Sequence, residues 1–98
     1  MLNESTQIQN QVIITVAGID KVGIVAKVSS RLADCRVNIE DIKQTIMQDS
    51  FVMMMLCDIS KIETSFKDFK DKMTALGTEL GMEIWVQKKD IFDKMHTI

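Results

Sequence analysis

Six apolar residues, Ile62, Phe66, Phe69, Met73, Leu76 and Leu80, follow one another at steps of 4, 3, 4, 3 and 4. That spacing puts them on one stripe of a helix, with Asp68, Lys70, Asp71 and Lys72 forming a solvated mixed-charge face. Ahead of the stripe, Ser60-Lys61-Ile62-Glu63 matches a capping box, in which serine and glutamate reciprocally satisfy orphan amides. Behind it, Gly81 stands where a helix ends in a left-handed residue. A long helix with a single apolar stripe cannot bury that stripe alone. The rest of the chain must supply the surface that covers it.

The remaining pattern supplies strands. Val12 to Ala17 is β-branched and mostly apolar, as a central strand is. Val37 to Gln48 reads as a second strand with a fault: Val37 and Ile39 share one parity, Ile42 and Ile46 the other. A period of two cannot hold both pairs on one face, so a bulge or bend is expected near Glu40-Asp41. Gln48-Asp49-Ser50 offers turn chemistry, and Phe51 to Ile59 forms an almost wholly apolar third strand. Met82 to Lys88 alternates Met82, Ile84 and Val86 against Glu83, Trp85 and Gln87, as a half-buried fourth strand does.

Between the first two strands, Ile24, Val25, Val28, Leu32 and Cys35 step by about one helical turn, with Lys27, Ser30, Arg31 and Asp34 opposite. The order is β-α-β-β-α-β. Two βαβ units joined by a hairpin imply an α+β, ferredoxin-like fold, a four-stranded antiparallel sheet with two helices on one face. The tail DIFDKMHTI places Ile91, Phe92, Met95 and Ile98 near one side of a short terminal helix capped by Asp90. The expected organisation is an N-terminal tail over 1–10, one domain over 11–89 and the C-terminal helix over 90–98.

Composition narrows the function. With 98 residues there is room for one domain and no separate catalytic unit. A net charge of -2 supplies no basic field for nucleic acid or an anionic membrane. Among ferredoxin-like folds an RNA-binding sheet would need strand aromatics in basic surroundings, but the chain has four Phe, one Trp and no Tyr, and only Phe51 is expected on a central strand. The N-terminus lacks an apolar secretory region and no run is long enough to span a membrane, so a cytoplasmic location is expected. Cys35 and Cys57 sit in apolar surroundings without metal-ligand spacing, as free thiols of a reducing compartment do. His96 is the only histidine, so a metal site or acid–base pair lacks its usual partners. Ser29, Ser30 and Cys35 have no neighbouring base in sequence, and the chain is not expected to be an enzyme or to carry a cofactor. Alternation sends Met53, Met55 and Cys57 to one face and Met54 with Leu56 to the other, which favours packing over soft-metal ligation.

The stretch with chemical potential is Gly18 to Gly23. Asp20 can cap the following helix, Gly23 lets backbone approach closely, and first-turn amides carry partial positive charge. It serves equally as a plain strand-to-helix turn, and it matches neither a dinucleotide fingerprint nor a P-loop. Asn38, at the start of the second strand, can satisfy turn backbone or grip an amino acid's ammonium or carboxylate.

Together these segments resemble the ACT domain, the ligand-binding regulatory module of amino-acid metabolism. The resemblance rests on D-x-x-G-I-V at Asp20 to Val25, on L-A-x-x-x-V-N-I-x-D-I from Leu32 to Ile42, and on the apolar third strand. It is strongest to small free-standing ACT proteins and to the ACT units of the glycine-cleavage-system repressor. The resemblance implies subunits paired side by side into a continuous sheet. A ligand, an amino acid by family habit, would sit between Asp20, Lys21, Val22, Gly23 and Ile24 of one subunit and Asn38 and Ile39 of another. Val22 departs from the family pattern, which has proline there. The implied partners are a small molecule, a second copy in a homodimer or higher homo-oligomer, and a separate regulated protein. The competing reading is a ligand-free protein–protein interaction module of the same fold.

Overall fold

The structure, a computed structural model, describes residues 10–19 and 22–95. Its elements are β1 (Gln11–Ile19), α1 (Ile24–Asp34), β2 (Asn38–Met47), β3 (Ser50–Asp58), α2 (Phe66–Leu80), β4 (Glu83–Lys88) and α3 (Lys89–Met95). The strands form one antiparallel sheet in the order β2-β3-β1-β4, the ferredoxin-like arrangement expected from the sequence. β1 and β3 are central, while β2 and β4 are edges.

Strand parity decides the core. Val12, Ile14 and Val16 of β1, Met53, Met55 and Cys57 of β3, and Ile84 and Val86 of β4 are buried on one face of the sheet. The same cluster takes in Ile24, Val28 and Leu32 of α1 and Phe69, Met73, Leu76 and Leu80 of α2. Each large side chain fully buried there contributes roughly 1.5–3 kcal/mol, which is why the two amphipathic stripes dominate the architecture.

The fault in β2 is a bulge. Asn38 and Ile39 pair with Asp58 and Cys57, but Asp41 pairs with Leu56, so Glu40 is the extra residue. The inserted residue resets the parity, and Ile39 and Ile42 then both oppose buried partners, Cys57 and Met55. The following reversal passes through Gln48, which adopts φ 57.

Two helix starts differ from the sequence reading. α2 begins at Phe66 rather than at the Ser60 capping box, and its N-cap is Ser65, whose hydroxyl accepts the Asp68 N–H at 3.1 Å. Ser60 is held elsewhere: its N–H donates to Asp58 Oδ1 at 2.7 Å, and Ile62 N–H donates to Ile59 O at 3.2 Å, closing a turn. Ile62 therefore packs on the core from that turn, outside the helix. At the other end of α2 the reading holds. Gly81 is left-handed at φ 72, and Met82 N–H returns to Gly77 O at 2.8 Å.

α3 starts at Lys89, so Asp90 lies within its first turn, where Oδ1 accepts the Ile91 N–H, and is not the N-cap. Its apolar residues do not share one buried side. Phe92 is half-buried, whereas Ile91 and Met95 are 52% and 64% exposed, and Ile98 lies outside the described residues. α3 folds back over the sheet face opposite α1 and α2. There Phe92 borders a groove of about 260 Å³ with Ile13, Met54 and Leu56, and Gln87 Nε2 donates to Met95 Sδ at 3.6 Å.

Candidate functional site

The β1–α1 junction is built around Gly23. Its φ of 86 lies in the left-handed region, where a side chain costs roughly 1–2 kcal/mol, and a Cβ there would meet nothing within 4 Å. The position therefore demands glycine for its backbone angle and leaves open space beside it. Gly23 is also the N-cap of α1, so no side chain of the capping residue closes the helix. The first intrahelical bond runs from Lys27 N–H to Gly23 O at 2.9 Å. The amides of Ile24, Val25 and Ala26 precede that bond and have no helical carbonyl to receive them. Val22 is fully exposed beside them, while the Ile24 side chain is only 4% exposed and belongs to the core. Ile24 can thus offer a ligand its backbone N–H alone. Asp20 and Lys21, including the expected capping role of Asp20, lie outside the described residues.

Gly18, one turn of chain earlier, has a different reason for being small. A Cβ there would come within 2.5 Å of Met82 Sδ, the flexible end of a side chain that would have to move aside.

Asn38 is at the far end of the molecule. β3 measures the separation: Ile19, beside the junction, pairs with Ser50, whereas Gln11 and Asn38 both pair with Asp58. Eight residues of strand at about 3.3 Å each put the two ends roughly 26 Å apart. Ile39 stays half-buried against the core, and Asn38 is exposed. The structure therefore groups Val22, Gly23 and Ile24 in one place and Asn38 and Ile39 in another.

Around Asn38 the structure adds residues that the sequence reading passed over. Arg36, Asp58, Ser60 and Lys61 border the same shallow pocket of about 220 Å³. Arg36 reaches it from a left-handed backbone at φ 65, and its Nη1 lies 3.4 Å from Glu63 Oε2. Asp58 Oδ1 accepts the Ser60 N–H, which orients the carboxylate at the pocket edge. Two cations, one carboxylate and an amide suit a zwitterion. The signal lay in the pairing of β2's first residue with β3's last, a long-range contact that sequence spacing does not reveal.

The larger cavity, about 460 Å³, is elsewhere. It runs along the β4 edge between Lys70 and Thr74 of α2 and Thr15, Trp85 and Gln87 of the sheet. On its α2 side the ammonium groups of Lys70 and Lys88 stand 5.5 and 4.7 Å from the Phe66 ring centre. Cys57 is wholly buried, and burial, reinforced by the charge of Glu40, pushes its thiol up to about 12. A thiol so protonated is a packing group, not a nucleophile. Among the described residues, no helix is long and apolar enough to cross a membrane, and no three His, Cys, Asp or Glu side chains are grouped as metal ligands would be.

Comparison with known proteins agrees with this architecture. The ACT domain family model matches residues 10–87. A UPF0237 protein of Listeria innocua is 48% identical over 86 residues, covering 88% of this chain and 97% of that protein. The solved structure of an ACT domain protein from Streptococcus pneumoniae superposes with a TM-score of 0.75 at 39% identity, covering 84% of this chain and 92% of that one. A putative glycine cleavage system transcriptional repressor shares the fold at a TM-score of 0.70 and 18% identity, over 79% of this chain and 45% of its own. The chain belongs to the ACT domain family.

Proposed function

We propose that this chain is a regulatory module that binds an α-amino acid, or a closely related small zwitterion, between two copies of itself. The observation that carries the reading is the separation of the two half-sites. The first-turn amides after Gly23 and the polar pocket at Asn38 stand at opposite ends of one sheet, so a single chain cannot close them on one small molecule. Two copies can. β2 is an edge strand with one side free of strand partners, and an antiparallel β2–β2 pairing about a two-fold axis reverses the second copy. The Asn38 end of one subunit then approaches the Gly23 end of the other.

In that arrangement the α1 amides receive the ligand carboxylate, favoured by the helix dipole. Asn38 and Asp58 of the partner subunit receive the ammonium, with Arg36 and Lys61 available to an acidic side chain. Such a ligand binds the pair better than the separated chains and shifts the equilibrium toward the pair, which is the regulatory output. Reading that output falls to a separate protein, in the cytoplasm. Among the described residues neither half-site contains a base aimed at a nucleophile, and the reading is of binding without catalysis.

A thermal-shift screen of the wild-type chain against the common amino acids tests the reading. A ligand at about 100 times its Kd adds roughly 2.7 kcal/mol, a melting shift on the order of 10 °C for a domain of this size. Gly23→Ala, which adds a methyl group beside the amides, should remove the shift while the circular dichroism remains native. No shift with any amino acid would instead favour the ligand-free interaction module.

A further inference from the structure

The sheet face opposite α1 and α2 is only half covered. Its side chains form rows across the strands, fixed by the register. The first row runs from Asp41 through Leu56 and Ile13 to Gln87, and α3 lies over it. The second row, from Lys43 through Met54 and Thr15 to Trp85, faces away from the core, as does the third, from Thr45 through Val52 and Ala17 to Glu83. Trp85 is 51% exposed and Val52 37%. These rows carry Met54, Val52 and Ala17 with Thr15 at their centre, and Lys43, Thr45, Trp85 and Glu83 at their rim. α3 leaves Ile91 and Met95 largely exposed, although Met95 Sδ also meets Gln87 of its own sheet.

We propose that this face is an interface between two copies of the chain, packed sheet to sheet, with the α3 of each copy lying over the bare rows of the other. The surface is shaped for itself. It carries a ridge, α3, with exposed apolar residues, beside a hollow with exposed apolar residues. A two-fold axis in the plane between the sheets, running across the strands, reverses strand direction and sets each ridge into the opposite hollow. Such an isologous contact matches two unlike patches twice over.

The available area is sufficient. Four strands about 4.8 Å apart and some eight residues long at about 3.3 Å outline roughly 500 Å² in projection. Side-chain relief and the flank of α3 bring the accessible area close to the ~800 Å² per partner of a standard interface. Trp85 is the kind of large amphipathic side chain that anchors such contacts. This interface is independent of any ligand and distinct from the β2 edge, because Trp85 lies on β4, the opposite edge strand. If both contacts form, the assembly is a tetramer of two-fold symmetry.

Trp85 is the only tryptophan, so its emission reports this face alone. The test is intrinsic fluorescence and sedimentation-velocity mass of the full chain from nanomolar to about 100 µM, a range that takes in the weaker part of the micromolar-to-picomolar span of standard-sized interfaces. The expected result is a blue shift of emission that rises with concentration and tracks an increase in mass. Val52→Glu and Met95→Glu, both at exposed positions, should each abolish the blue shift and halve the mass while circular dichroism stays native. Emission that remains solvent-like while the mass increases would overturn the proposal in favour of edge pairing alone. So would a monomer at all concentrations, a blue shift that survives both variants, or one that appears only when a different macromolecule is added.

Discussion

Replacing Gly77 by alanine sets two effects against each other, and the structure decides between them. Gly77 is buried in the last turns of α2. In an unobstructed helix the change gains about 1 kcal/mol, because glycine is the poorer helix former. Here the new methyl group would sit 2.7 Å from the Met82 carbonyl oxygen, 3.2 Å from Ile84 Cγ1 and 3.4 Å from the Ile84 nitrogen. Even favourable C–H···O contacts stay beyond about 3.3 Å, so the helix and β4 must separate by roughly half an ångström. They cannot do so freely. Met82 N–H is bonded to Gly77 O at 2.8 Å, and Ile84 pairs with Val16 in the sheet. Overpacking of this kind costs about 1–3 kcal/mol, and weakening the terminal hydrogen bond adds about 1 kcal/mol. The net expectation is a loss of about 2 kcal/mol, or a fall in Tm on the order of 10 °C. Urea unfolding of wild type and Gly77→Ala measures it. Ala75→Gly, on the exposed side of the same helix, serves as the propensity control and should lose about 1 kcal/mol. A gain in stability for Gly77→Ala would refute the crowding argument.

Two further outcomes follow from other parts of the fold. Ser65→Ala should cost about 1 kcal/mol by removing the α2 cap, while Ser60→Ala should stay within about 0.5 kcal/mol; paired denaturation curves decide, and the reverse ranking would restore the capping box at Ser60. The Cys57 thiol is raised from 9.0 to about 12 by burial and by Glu40, so between those values the native chain keeps a proton that the unfolded chain has lost. Its contribution is fully present below pH 9 and declines as pH rises toward 12, at a slope of up to about 1.4 kcal/mol per pH unit. Stability followed across that window should fall more steeply for wild type than for Cys57→Ala, and equal slopes would contradict the assignment.

How much of this was legible in the sequence depended on range. The α2 stripe, the alternation in β4 and the parity conflict in β2 are local patterns, and each produced the element it implied, including the bulge at Glu40. The α2 start was misplaced because two serine-led segments compete there, Ser60 to Glu63 and Ser65 to Asp68. What separates them is the Asp58 carboxylate, which holds Ser60 in a turn. α3 misled for a related reason. Ile91, Phe92 and Met95 look like one buried side, yet a helix laid on a half-empty face buries only what meets its own sheet. For the site, the glycine and the first-turn amides at α1 follow from the junction's composition. The separation of Gly23 from Asn38, and the company Asn38 keeps with Arg36, Asp58 and Lys61, depend on strand register, which no local spacing specifies.

The central claim is that one ligand site draws on two chains, and mixing tests it most directly. Once the screen names an amino acid that shifts wild type, Gly23→Ala and Asn38→Ala are each prepared and shown not to bind it. They are then unfolded together, refolded as a mixture and titrated with the same amino acid by calorimetry. In a mixed pair both lesions fall in one site and the other site is intact, so random pairing should restore about a quarter of the wild-type sites. If the mixture binds nothing, the two half-sites do not meet across an interface and the account is contradicted.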